Sequence, residues 1–160
     1  MPKILPRRCL DSALDSSQLG DAMHAPVAPA QELHQRFAGL VSAPSEFRGE
    51  TTVWVDDAAR IAEVLQHARG ALGYDLLLDM TGVDHLGEEP RFEIVYHLYS
   101  FASHRYLRIK TRVGEEKAEL PTATAIWRAA DWHEREIYDL LGVRFTGHPD
   151  LRRILMWDSY

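Results

Sequence analysis

One cysteine stands in the 160 residues, Cys9. An intrachain disulfide is therefore impossible. A conventional iron–sulfur cluster wants about four thiolates, and structural zinc usually draws on several Cys or His at tight spacing. No glycine-rich dinucleotide or phosphate loop is present either. If the chain takes part in redox chemistry, another chain carries the electrons. A run of about 18 apolar residues is also missing, so no membrane span is expected. Lys3, Arg7 and Arg8 near the N-terminus are followed by Asp11, Asp15 and polar residues, not by the apolar stretch of a secretory or export signal. Cytosolic exposure is the resulting default. Positive charge is in short supply: 24 acidic against 18 basic residues give a formal net charge of −6. Nucleic acid is not expected as a partner, because polyanion binding depends on Lys and Arg releasing counterions.

What is present reads as one domain with a loose start and an extended end. Residues 1–29 mix Pro, Ala, Ser and Asp without a sustained period and are expected to form a flexible leader. The spacing of Leu33, Phe37, Leu40 and Val41 predicts a helix from near Ala30, stopped by Pro44. Thr51 to Val55 is β-branched and aromatic, a short strand. Asp56 and Asp57 offer an N-cap to a second helix with Ile61, Val64, Leu65, Ala68 and Leu72 inward, ended by Gly73. The run Leu76-Leu77-Leu78 predicts a strand covered on both faces. Two alternating strands follow. Phe92, Ile94, Tyr96 and Leu98 share one side of the first, and Leu107, Ile109, Thr111 and Val113 one side of the second. Residues 100–103 are the hairpin between them, and the far face of the second carries Arg108, Lys110 and Arg112. Residues 115–121 read as a charged loop. Thr122 or Thr124 can cap a third helix whose buried side holds Ile126, Ala130, Ile137 and Leu141, with Gly142 as its stop. This order predicts a two-layer α+β domain over residues 30–142. Its helices pack on one face of a mixed, mostly antiparallel sheet, and a C-terminal arm over 143–160 leaves it extended.

Charge is densest from Trp132 to Leu155, where His133, Glu134, Arg135, Glu136 and Asp139 crowd one helix. His133-Glu134 resembles the start of a zinc H-E-x-x-H motif, but Ile137 stands where the second His is needed. Glu136 and Asp139 could share a face as a carboxylate pair. Arg135, four residues before Asp139, would hold that carboxylate ionised, and no Ser or Cys nucleophile is nearby. A solvated helix face accounts for Glu134 and Arg135, but not for the arm. There Phe145, Leu151, Ile154, Leu155, Met156 and Trp157 form an apolar series beside Arg152 and Arg153, a composition that suits docking onto a partner protein.

The segment from Glu134 through Arg135, Glu136, Ile137, Tyr138, Asp139 and Gly142 resembles a known signature. The resemblance runs on to Phe145, Gly147-His148-Pro149 and Leu151-Arg152-Arg153-Ile154-Leu155. That signature belongs to the 30-kilodalton subunit family of NADH:quinone oxidoreductase, respiratory complex I. Residues 127–132 and 78–84 also resemble the family, so the likeness covers roughly residues 30–157. It implies a peripheral-arm subunit of a translocase that passes electrons from NADH to quinone, with no cofactor or catalytic residue in this chain. Iron–sulfur clusters, FMN and quinone would be held by partner subunits. The implied partners are the quinone-site and terminal-cluster subunits, which would hold the chain peripherally at the cytoplasmic face of the cell membrane. Carried over by position, Glu134, Arg135, Glu136 and Asp139 would order the last helix and its turn, with Tyr138 and Gly142 as further docking or signature positions. His148-Pro149 and Arg152-Arg153 would direct the arm across a partner, with Phe145, Gly147 and Leu151 as the remaining docking or signature positions.

Two other expectations stand beside this one. Family members commonly continue past this point with a polar, basic tail. An end at Tyr160 implies either a shorter arm or a related complex, such as a membrane-bound [NiFe] hydrogenase or formate hydrogenlyase. From a different class, His85, His97, His104 or His133 could serve an autonomous metal-dependent hydrolase.

Overall fold

The computed structural model describes residues 28–157 and 159. The expected leader falls almost wholly outside them. The first helix, α1 (Ala28–Arg36), starts two residues before its sequence signal and ends well before Pro44. A turn then carries Gly39 at φ +80° and delivers Leu40 and Val41 to the core. Phe37, Leu40 and Val41 therefore share a buried side with Leu33 without sharing its helix.

Strand β1 (Ser45–Phe47), which has no pattern in the sequence, forms a hairpin with strand β2 (Glu50–Val55), which contains the expected strand over residues 51–55. Arg48 and Gly49 turn it, both at positive φ, as a two-residue hairpin turn of this hand requires. Asp57 then accepts the Ala59 N–H at 3.0 Å and caps a short 3₁₀ turn that runs into α2 (Ile61–Gly70). Ile61, Val64, Leu65 and Ala68 of α2 are fully enclosed, and Gly73 turns the chain at φ +72°.

Strands β3 (Leu76–Asp84), β4 (Phe92–Ser100) and β5 (Arg105–Val113) complete the sheet in the order β1-β2-β5-β4-β3. All neighbours are antiparallel except β2 and β5, which run parallel. The sheet is mixed and mostly antiparallel, with the helices on one side, as the patterning requires. Phe92, Ile94, Tyr96 and Leu98 of β4 lie beside Val113, Thr111, Ile109 and Leu107 of β5 and make the core. On the opposite side the three cations of β5 are matched to acids. Arg108 pairs with Glu50, Lys110 and Arg112 converge on Glu93, and both of the latter lie over the Trp54 ring. Burial alone would raise the Glu93 carboxyl, but its bonds from Lys110, His85 and Arg112 outweigh that and hold it low.

The leucine triplet departs from expectation. Strand β3 is an edge strand, so Leu77 and Met80 are buried while Leu78 is exposed. A bulge between Leu77 and Asp79 shifts the pairing and leaves Leu78 out of the register.

The end of the domain departs further. Residues 119–121 are not simply loop, and residues 144–146 are not free arm. Strand β6 (Glu119–Pro121) pairs in parallel with β7 (Arg144–Thr146), Leu120 beside Phe145. Between them runs α3 (Ala130–Leu141), which begins later than a cap at Thr122 or Thr124 would place it. Ile126 precedes the helix. Val143 and Phe145 are core residues, each apolar side chain worth roughly 1.5–3 kcal/mol on full burial.

Helix α3 seats against β3 at Gly82. A Cβ there would lie 2.5 Å from Leu141 Cδ1 and 3.3 Å from Ile137 Cγ2, so the two elements approach only because no side chain intervenes.

Candidate docking site

Helix α3 places Ala130, Glu134, Ile137 and Leu141 on one side at the spacing of a buried stripe. Glu134 therefore points inward, and its side chain is fully enclosed. This overturns the solvated-face reading. What receives it is the turn after β6. The Ala123 N–H donates to Oε1 at 2.6 Å and the Thr122 hydroxyl to Oε2 at 2.6 Å. Burial pushes the Glu134 carboxyl up to about 7, with those two donors opposing the rise. Burial also raises the Tyr96 phenol, whose hydroxyl is enclosed without a hydrogen-bond partner, and the charge of Glu134 adds to the effect.

Arg135 is buried as well, and it does not reach for Asp139. Its Nε donates to the Arg152 carbonyl at 3.2 Å and its Nη2 to the Arg153 carbonyl at 3.4 Å, while the guanidinium lies over the Trp132 ring. Asp139, one helical turn on, takes the complementary backbone groups. Its Oδ2 accepts the N–H of Ile154 at 3.0 Å, Leu155 at 2.7 Å and Met156 at 2.8 Å. Burial would raise this carboxyl, but the three amides and the nearby Arg153 outweigh it and hold it below the usual carboxylate range. Together the i, i+4 pair forms a clamp: a cation takes two carbonyls, and an anion takes the next three N–H groups.

The clamp holds the arm's backbone and leaves Leu155 and Trp157 outward, with Ile154 and Met156 half-buried. Leu155 and Trp157 are 58% and 64% exposed, and Trp132 and Leu140 on the outer side of α3 are 62% and 54% exposed. Leu78 and Val83 on the edge strand beside α3 are also exposed. Apolar surface of this kind, carried on neighbouring elements, is what an interaction face presents. Arg152 stands clear and pairs with Asp150 at 2.9 Å, while Arg153 donates to the Trp157 carbonyl at 3.2 Å.

The remaining signature positions divide between core and surface. Gly142 ends α3 in the left-handed conformation at φ +75°, its N–H on the Tyr138 carbonyl at 2.9 Å. Tyr138 is half-buried, Glu136 exposed, Pro149 exposed and Leu151 half-buried. Phe145 is buried in the core, so it anchors the arm instead of facing a partner. Gly147 lies at φ +84° against Thr122, and the His148 ring is fully enclosed. The four histidines considered as metal ligands are not gathered. His85 meets Glu93, His104 meets the Tyr99 hydroxyl and His133 stands 3.6 Å from Asp79, while His97 sits in mid-β4 opposite Arg108. Among the described residues, no group of three or more His, Cys, Asp or Glu could hold a metal ion. Reasoning from sequence missed the clamp itself, although the i, i+4 spacing of Arg135 and Asp139 was visible.

The fold is a small α+β domain whose last helix grips the backbone of residues 152–156 from both polarities. The chain belongs to the family described as respiratory-chain NADH dehydrogenase, 30 Kd subunit, which it matches over residues 53–160. It is 46% identical to the C subunit of NADH-quinone oxidoreductase from Geobacter metallireducens, over 81% of this chain and 80% of that protein. It is 57% identical to the corresponding C 2 subunit from Rhizobium meliloti, over 56% of this chain and 49% of that one. Among solved structures, it superposes on the trypsin-resistant fragment of Nqo5 with TM-score 0.66 at 31% identity, covering 76% of this chain and 96% of that one. It also superposes on a chain of a membrane-bound sulfane sulfur reductase, an archaeal respiratory membrane complex. That match has TM-score 0.69 at 26% identity, covering 81% of this chain and 75% of that one.

Proposed function

We propose that this chain is a non-redox assembly subunit of the peripheral arm of NADH:quinone oxidoreductase. Its clamped arm docks on the subunits that carry the terminal iron–sulfur cluster and the quinone site. The observation that carries the reading is the clamp. Arg135 and Asp139 hold five consecutive backbone units while Leu155 and Trp157 remain outward, an arrangement that spends two buried charges on presenting apolar surface. An arm ordered before it meets its partner loses less conformational entropy on binding. No helix among the described residues is long and apolar enough to cross a membrane, which fits membrane attachment through partners at the cytoplasmic face. Clusters, FMN and quinone reside in those partners on this reading, and this chain supplies shape and adhesion. The names of the curated relatives favour the quinone oxidoreductase over the hydrogenase alternative.

The test is co-purification from native membranes with the tagged full chain. The quinone-site and cluster-bearing subunits should be retained. Replacing both Arg152 and Arg153 with Ala should weaken that retention. Arg152 lies at the surface, and because Arg153 also stands 3.6 Å from the Asp139 carboxylate, hydrogen-exchange protection of residues 154–156 checks that the clamp itself persists. Retention of a nickel-bearing subunit, or retention unaffected by the double change together with a Trp157→Ser change, would overturn the proposal.

A further inference from the structure

The buried carboxyl of Glu134 is not part of the clamp, and its surroundings form a connected device. Three elements meet there: α3 with Glu134 and Asp131, the turn after β6 with Thr122 and Thr124, and the root of the arm with His148 and Asp150. Tyr96 of β4 lies close enough for its phenol to feel the Glu134 charge. His148 Nδ1 accepts the Asp150 N–H at 3.0 Å, so the ring proton resides on Nε2. From there it points to the Asp131 carbonyl at 3.3 Å, with the Asp131 carboxylate at 3.5 Å and Glu134 Oε2 at 3.9 Å.

The hydroxyls beside Glu134 can serve either charge state of the carboxyl. As a carboxylate, Glu134 accepts from the Thr122 hydroxyl, which accepts in turn from the Thr124 N–H at 3.1 Å. As a carboxylic acid, Glu134 donates to Thr122, and Thr122 turns its own proton to Thr124 Oγ1, 2.9 Å away, where either oxygen can be the donor. Neither state strands a buried donor, which is the usual cost of titrating inside a fold. Thr122 also lines a cleft of about 450 Å³ between α2 and the segment 122–126.

We propose that Glu134 is a proton-binding lock on the root of the arm, loaded from the cleft through Thr122 and read out by His148. With the carboxyl protonated, the His148 Nε2–H stays on the Asp131 carbonyl and Nδ1 keeps the Asp150 N–H. When Glu134 ionises, a fully enclosed negative charge stands 3.9 Å from the same Nε2, beside the half-exposed Asp131 carboxylate at 3.5 Å. The ring is drawn toward Oε2, Nδ1 leaves the Asp150 amide, and the segment from Gly147 to Asp150 loosens. Titration near neutrality, which burial of the carboxyl favours, would make the lock responsive under ordinary conditions. Its consequence for assembly rests on the docking reading above, whereas the lock itself does not.

The test uses the free full-length chain with carbon-13 in its glutamate carboxyls. The Glu134 carboxyl signal and the hydrogen-exchange protection of the Asp150 amide, corrected for intrinsic exchange, are followed together against pH. Protection at Asp150 should fall about tenfold, the size of one lost hydrogen bond, with the same midpoint as the Glu134 signal. In E134Q it should not fall. In T122V, which keeps the carboxyl but removes one of its donors, both midpoints should move upward together. A Glu134 signal that titrates in the ordinary carboxylate range would overturn the proposal. So would an Asp150 amide indifferent to that titration in both wild type and T122V. Because partner subunits are absent from this experiment, its failure would leave the docking reading to be judged by co-purification alone.

Discussion

Replacing Glu134 with Gln should make the protein more stable at alkaline pH and nearly indifferent in acid. Gln keeps the shape, accepts the Ala123 N–H through its carbonyl and donates to Thr122 through its amide, but carries no charge in any condition. In the wild type, burial raises the carboxyl from 4.5 to about 7. The folded state therefore holds this proton more tightly than the unfolded chain does. Between those two values the native state binds more protons than the unfolded state, so stability falls as pH rises. At 1.36 kcal/mol for each tenfold in proton affinity, the loss is about 3 kcal/mol. It is fully present as stability below pH 4.5 and gone above about 7. Asp139 and Glu93, whose carboxyls are held low, act in the opposite sense and lose stability only as pH falls through their folded values. They are common to both proteins and cancel in the difference. Urea unfolding of the two chains at a series of pH values gives the curve directly. The wild-type free energy minus that of E134Q should decline by about 3 kcal/mol across the window. Parallel curves, or a Gln variant less stable at every pH, would refute the claim that an enclosed carboxyl with only two donors is held against its own charge.

Two further outcomes follow from the geometry. Asp139→Asn should strip hydrogen-exchange protection from the amides of Ile154, Leu155 and Met156 while leaving the sheet amides unchanged. In the wild type the same three amides should lose protection only in acid below the ordinary carboxylate range, as the low-lying Asp139 is finally protonated. Gly82→Val should destabilise the chain by roughly 1–3 kcal/mol in urea unfolding, because the new side chain meets Leu141 and Ile137 where α3 rests on β3.

The clamp gives the charged segment a physical meaning that its composition did not convey. Ion pairs at i, i+4 on a helix are commonplace and worth little at a surface. Here the two charged side chains are turned to residues 152–156 of the same protein, and each is matched to backbone groups of opposite polarity. The last stretch of the arm, anchored upstream by Phe145 and His148, is held in register by this means. The exposed Arg152 and the apolar Leu155 and Trp157 are thus set at fixed positions.

What was legible in the sequence follows from period and punctuation. The alternation of β4 and β5, the inward stripe of α2, the stops at Gly73 and Gly142 and the mixed two-layer architecture are all local, each a consequence of side-chain spacing acting on nearby backbone. The family likeness rested on residue identities from Glu134 to Leu155. What only the tertiary structure decided depends on partners far away in the chain. The β1 hairpin turned on positive φ at Arg48 and Gly49, and the pairing of β6 with β7 required two three-residue strands to meet across an intervening helix. Glu134 lay on the buried stripe by its spacing, yet charge argued for solvent. Only the Thr122–Ala123 turn supplies the donors that let it be enclosed. Arg135 and Asp139 stood one turn apart in plain view, but whether they would bind each other or the backbone of residues 152–156 could not be read locally. Spacing determines which side of an element a residue occupies, whereas the groups waiting on that side are set by the rest of the fold.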